Sequence, residues 1–215
     1  MSKRLSILVF AVFSLVLLGL GGVTAVQFRS NNAAPELSTS FLFPTPKKLA
    51  PFTLKDQHGE LFSNLQLANK WSLFFIGYTA CPDVCPTTMG KLTAAYPELL
   101  KDIDLQIIFL SVDPQRDTQD KLLSYMDFFN PEFTAVTGEH SQLFPLTRDL
   151  GFVYAMVGEG QNYQVDHSAS MALISPQGNK VAVIKPKSST PGTLPQILTK
   201  ELISDIRKIS KIKNM

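Results

Sequence analysis

The chain has two cysteines in 215 residues, Cys81 and Cys85, four apart in GYTACPDVCPTTM, Gly77 to Met89. A continuous apolar run, Trp71 to Tyr78, precedes them, and helical spacing follows. They therefore fall at the carboxyl end of a strand, where sites gather in α/β sheets. Residues i and i+4 on a helical turn share one face, about 5–6 Å apart at Cβ. Two sulfurs so placed converge on one small ion or on each other. A helix N-terminus favours the thiolate, which is both nucleophile and metal ligand. A structural disulfide closing so short a loop constrains little, which leaves metal binding and redox chemistry. Thioredoxin-type redox motifs hold two residues between their cysteines; here Pro82, Asp83 and Val84 make three.

Two thiolates do not complete a metal site, and the chain offers three histidines. His58 falls in a turn and His140 at a helix start, both expected to be solvated. His167 lies in YQVDHSAS, read as a loop ahead of the apolar strand Met171 to Ser175. Taken alone it reads more readily as a hydrogen-bonded structural residue than as a ligand.

The elements that position these groups alternate. A hairpin is expected around Gln57 to Gly59, and buried strands at Trp71–Tyr78 and Leu105–Val112. Helices are expected over Thr87–Ile103, Asp117–Phe129 (capped by Asp117 or Thr118), His140–Leu150 and Leu194–Ile212. Short strands are expected at Phe133–Val136, Phe152–Val157, Met171–Ser175 and Lys180–Ile184. This order predicts an α/β fold of thioredoxin-like type, a central mixed sheet with covering helices.

Leu5 to Val26 is 22 residues without a charge. As a helix it would span about 33 Å, enough for a bilayer core. Lys3 and Arg4 precede it, which predicts a cytoplasmic N-terminus, and Thr24-Ala25-Val26 is a poor cleavage site. The expected organisation is a cytoplasmic N-terminus and transmembrane anchor over residues 1–26, a polar tether over 27–40 and one domain over 41–215. A bacterial inner-membrane location with the domain in the periplasm fits best, because four residues cannot supply a mitochondrial address. A net charge of +2 without a basic aromatic stripe excludes a nucleic-acid binder.

CPDVCPTTM, SVDPQRDT and VDHSASMALISPQG, in that order after an N-terminal anchor, resemble the Sco/SenC copper chaperones over nearly all of the chain from Phe41. The resemblance implies a thioredoxin-like fold and copper held by Cys81, Cys85 and His167. It further implies, as partner, cytochrome c oxidase subunit II or another periplasmic copper protein, through copper delivery to the binuclear site or reduction of that site's cysteines. Donor chemistry agrees: thiolates select Cu(I), imidazole suits Cu(I) and Cu(II), and structural zinc usually takes four protein ligands. Asp113, ending the second central strand, and Asp166, beside His167, are candidates for tuning the site from behind the ligands. Met89 reads as a core methionine and Asp83 as solvent-exposed. The same cysteines, as a redox disulfide, would serve the alternatives, a thiol–disulfide oxidoreductase, a thiol peroxidase or a sensor.

Overall fold

The computed structural model describes residues 13–14, 35–158, 160, 163–188, 190 and 192–212. Residues 37–215 form one compact unit; the other, residues 1–36, falls almost wholly outside the described residues. The apolar run from Leu5 to Val26 lies there, Phe13 and Ser14 apart, as does the tether up to Ala34. Among the described residues no helix is long and apolar enough to cross a membrane.

From Ser40 onward the elements run β1 (Ser40–Lys48), β2 (Thr53–Asp56), β3 (Leu61–Ser63), β4 (Trp71–Gly77), α1 (Val84–Leu100), β5 (Leu105–Ser111) and α2 (Gln119–Phe129). They continue with β6 (Thr134–Thr137), α3 (His140–Leu150), β7 (Tyr154–Val157), β8 (Gln164–His167), β9 (Met171–Ile174), β10 (Asn179–Ile184) and α4 (Thr199–Ser210). Eight strands form a mixed sheet in the order β1-β10-β9-β4-β5-β6-β2-β3, and β7 and β8 form a separate hairpin. β4, β5 and β6 are parallel, and β9 runs antiparallel to β4. This is the expected mixed α/β sheet with covering helices.

Every residue of β4 is buried, because both faces of the sheet are covered. Leu73 and Phe75 join the core under α1, α2 and α4, while Phe74 and Ile76 join the core under α3. β5 repeats the alternation with Ile107 and Phe109 against Ile108 and Leu110. The period-2 geometry of a strand thus feeds two cores from one apolar run.

Three elements depart from the sequence expectation. β1 carries Pro44 and Pro46 and lies where the sequence predicts no element, at the start of the domain; it is an edge strand whose register shifts between Leu42 and Lys47, where the prolines sit. The compact unit accordingly starts at Leu37 rather than Phe41. α4 begins at Thr199, not Leu194. Pro195 disfavours helix at the residue before it, and Lys187 pairs with Gln196 in an isolated bridge instead. His167 ends strand β8 rather than sitting in a loop; four residues are too few to show a period.

Candidate metal centre

The site is built at the carboxyl ends of β4 and β5. After Gly77 the chain leaves the sheet, and α1 starts at Val84, so Cys81 stands in the connecting loop and Cys85 in the first helical turn. Cys81 is half-buried and Cys85 is buried; both are free thiols. Gly77 makes room for the second sulfur. A Cβ there would lie 2.8 Å from Cys85 Sγ and 2.8 Å from the Phe109 ring.

The third donor comes from the hairpin. Tyr154 of β7 pairs with His167 of β8, and the imidazole meets the Tyr78 ring edge-on at 6.0 Å. His167 Nδ1 lies 3.0 Å from the Ser168 carbonyl oxygen. A carbonyl only accepts, so Nδ1 carries the proton and Nε2 presents its lone pair. Nε2 lies 3.4 Å from Cys85 Sγ. The Cys81, Cys85 and His167 donor atoms all lie within 4.8 Å of one another. With metal–sulfur distances of about 2.3 Å, as in zinc–thiolate sites, sulfurs on opposite sides of one ion stand about 4.6 Å apart. The donor set is therefore compact enough for a single thiophilic ion.

The thiols are unequal. A hydrogen bond from Cys85 holds the Cys81 thiol down to about 4, against the opposing effect of burial and with help from His167. Cys85 is pushed far up by that bond, by burial and by the Cys81 thiolate. The pair without metal thus carries one negative charge and one shared proton, which an incoming cation displaces.

The aspartates divide differently from the sequence expectation. Asp166 is exposed while Val165 is buried and His167 half-buried. Alternate strand residues face opposite sides, so Asp166 turns away from the imidazole, and Ser168 orients the ring instead; the expected tuning role of Asp166 is corrected on this ground. Asp113 is fully buried but contacts neither sulfur nor imidazole. It receives hydrogen bonds from Tyr163 Oη and Arg116 Nε, each at 2.5 Å. Arg116 stacks 3.8 Å over the Tyr163 ring and donates to the Tyr163 carbonyl at 2.8 Å. Asp113 and Arg116 therefore grip the chain just ahead of β8, positioning His167 at one remove.

Asp117 carries a role that the sequence does not reveal. Thr118, not Asp117, caps α2. Asp117 is buried, which pushes its carboxyl pKa up. It accepts from Thr79 N (3.0 Å), Thr79 Oγ1 (2.6 Å) and Ser111 Oγ (2.6 Å), fixing the loop two residues before Cys81. Tyr125 packs on Phe109 at 5.3 Å, and its buried hydroxyl has no partner among the described residues. Of the residues outside the site, Met89 is core, Asp83 is exposed, His58 is exposed, and His140 Nδ1 lies 2.9 Å from Tyr154 Oη at the start of α3.

The sequence model of the SCO1/SenC family matches residues 44–202. A Stutzerimonas stutzeri protein whose name calls it copper-binding is 33% identical over 195 residues, 87% of this chain and 95% of its own length. The crystal structure of Arabidopsis thaliana ScoI with copper bound superposes with a TM-score of 0.64 at 31% identity, covering 74% of this chain and 98% of the other. Bradyrhizobium japonicum ScoI with copper bound gives 0.61 at 28%, covering 75% and 99%.

Proposed function

The chain belongs to the SCO1/SenC family, and from that premise we propose that it is a membrane-tethered copper chaperone. Leu5 to Val26 anchors it in the bacterial inner membrane, with the domain in the periplasm. Cys81, Cys85 and His167 hold one copper as cargo for the binuclear site of cytochrome c oxidase subunit II, or for another periplasmic copper protein. The convergence of two sulfurs and one lone-pair nitrogen within 4.8 Å carries the reading. Thiolate and imidazole together suit Cu(I) and Cu(II), and the relatives solved with copper bound lend support.

A thiol–disulfide oxidoreductase is the second reading. The low-lying Cys81 thiolate beside the protonated Cys85 favours it, as an attacking and a resolving thiol differ in that way. Against it stand the three-residue spacing and Ser170, not proline, ahead of Met171.

Anaerobic copper titration of the reduced protein, run beside a disulfide-reductase assay, separates the two. His167→Ala is expected to weaken copper binding by more than the ~10–100-fold that loss of a ligand's supporting partner brings, and to change the Cu(II)–thiolate absorption. His58→Ala and His140→Ala are expected to leave both unchanged. Unaltered affinity and spectrum in folded His167→Ala would remove it from the site. Rapid disulfide turnover, with copper bound no better than by Cys81→Ser, would favour the enzyme.

A further inference from the structure

Tyr125 of α2 packs behind the second sulfur with a hydroxyl that bonds nothing. Its ring lies 5.3 Å from Phe109 and 4.9 Å from Phe129. Phe109 is in turn a neighbour of the sulfur: a Cβ on Gly77 would meet the Phe109 ring and Cys85 Sγ at 2.8 Å each. Tyr125 also lines one surface groove with Thr79, two residues ahead of Cys81. It is therefore one ring removed from Cys85 and beside the loop that carries Cys81. Its Oη is buried and has no hydrogen-bond partner among the described residues. Buried tyrosine hydroxyls are ordinarily paired, because a desolvated O–H otherwise gives up its bond to water.

The surroundings keep this hydroxyl a donor. Burial first, then the negative charges of Cys85, Cys81 and Asp117, push the phenol pKa up, so it holds its proton. Asp117 is already engaged: Thr79 Oγ1 donates to Oδ1, and Thr79 N and Ser111 Oγ donate to Oδ2. Cys85 is the acceptor whose character changes. Without metal its thiol keeps a proton and donates it to Cys81, and a neutral sulfur accepts only weakly. A copper ion held by both sulfurs makes Cys85 a thiolate. That charge then lies in a core cluster with Phe75, Met89, Phe109 and Met171, whose side chains donate no hydrogen bond.

We propose that the Tyr125 hydroxyl is a donor held in reserve: idle in the metal-free pair, it donates a hydrogen bond to the Cys85 thiolate when copper is bound. The inference rests on the copper reading above. Tyr125 is a positioning residue, acting through Cys85 rather than on the ion. Its effect depends on oxidation state. Two thiolates and a neutral imidazole around Cu(I) carry a net negative charge, whereas around Cu(II) they are neutral. A donor aimed at the sulfur stabilises the more negative state, so it favours Cu(I) over Cu(II).

The test is Tyr125→Phe in the full chain, with Tyr96→Phe beside it. Tyr96 Oη donates to the Leu105 carbonyl at 3.2 Å, at the opposite end of β5 from the site. Metal-free denaturant melts, anaerobic chelator-competition titrations with Cu(I) and with Cu(II), and the Cu(II)–thiolate absorption are read on each. Tyr125→Phe is expected to melt no earlier than wild type without metal, because no hydrogen bond is lost. It is expected to bind Cu(I) about 10-fold more weakly or worse and Cu(II) with a smaller loss. Each tenfold of that difference lowers the Cu(II)/Cu(I) potential by about 59 mV. The absorption band moves to longer wavelength, because a thiolate without its hydrogen bond gives up an electron more readily. Tyr96→Phe is expected to reverse the pattern, melting earlier with both affinities and the band of wild type. Equal loss of both affinities, loss of neither, or an unmoved band overturns the role of Tyr125 and leaves the copper centre standing. So does an earlier metal-free melt of Tyr125→Phe, which would show the hydroxyl already bonded without copper. Wild-type protein that binds no copper overturns the copper reading and this inference together.

Discussion

A single missing carbon decides where the second sulfur sits. Gly77 has an ordinary negative-φ backbone, outside the positive-φ glycines, so space rather than backbone freedom requires glycine there. A Cβ would press on Cys85 Sγ and the Phe109 ring together, and Phe109 is already held against Phe75 and Tyr125. Gly77→Ala is expected to destabilise the protein by about 1–3 kcal/mol through overpacking. It is also expected to weaken Cu(I) binding, because the displaced sulfur no longer meets its co-ligands. Denaturant melts and a chelator-competition titration check the two effects separately. Wild-type copper affinity in a folded Gly77→Ala protein would show that the sulfur tolerates the shift.

Elements here are tied by buried carboxylates that accept hydrogen bonds, from backbone or side-chain donors, across long stretches of sequence. Asp117 anchors the loop before Cys81, Asp113 secures the chain ahead of β8, and Asp205 fastens the strand β1 arm to α4. Burial alone would raise the Asp205 pKa, but the N–H groups of Ser38, Thr39 and Ser40 outweigh it and leave the carboxyl below its usual value. A depressed folded-state pKa contributes stability that is fully present above the unfolded value, about 3.9, and is lost as pH falls through the folded one. The arm is therefore expected to stay docked down to about pH 4 and to release below it, which pepsin cleavage or hydrogen exchange near residues 38–40 would report. Asp205→Ala removes the acceptor of three backbone N–H groups on a partly exposed arm, for a loss of about 1–3 kcal/mol at neutral pH. It should also flatten the acid limb of the stability curve. An unchanged acid limb in the variant would place the pH response elsewhere.

At the scale of the whole molecule the unit from Leu37 carries its own cores on both faces of one sheet and every candidate copper donor. A chain lacking residues 1–26 is expected to be soluble, to fold cooperatively and to bind copper as the full chain does. Circular dichroism, sedimentation and copper titration test this. Aggregation or loss of the copper site on truncation would mean that the N-terminal segment belongs to the fold.

Much of this was legible because it is local. The unbroken apolar runs of β4 and β5 predicted central strands. The 3.6-residue period placed α3 over His140–Leu150, the observed span. The strand-then-helix boundary put Cys81 and Cys85 together at the carboxyl end of a central strand, Cys81 in the loop and Cys85 in the first helical turn. His167 became a candidate ligand through family resemblance, for no local pattern joins it to a cysteine 82 positions away. What only the tertiary structure decided depends on contacts that local periodicity does not record. Asp117 reaches Thr79 across 38 positions, Tyr163 reaches Asp113 across 50, and Asp205 holds Thr39 across 166. The reversal for Asp166 has the same origin. Its neighbourhood to His167 in sequence suggested partnership, but once those residues form a strand, adjacent side chains point to opposite faces. A sequence states which residues are adjacent along the chain; the order of strands in the sheet decides which side chains meet.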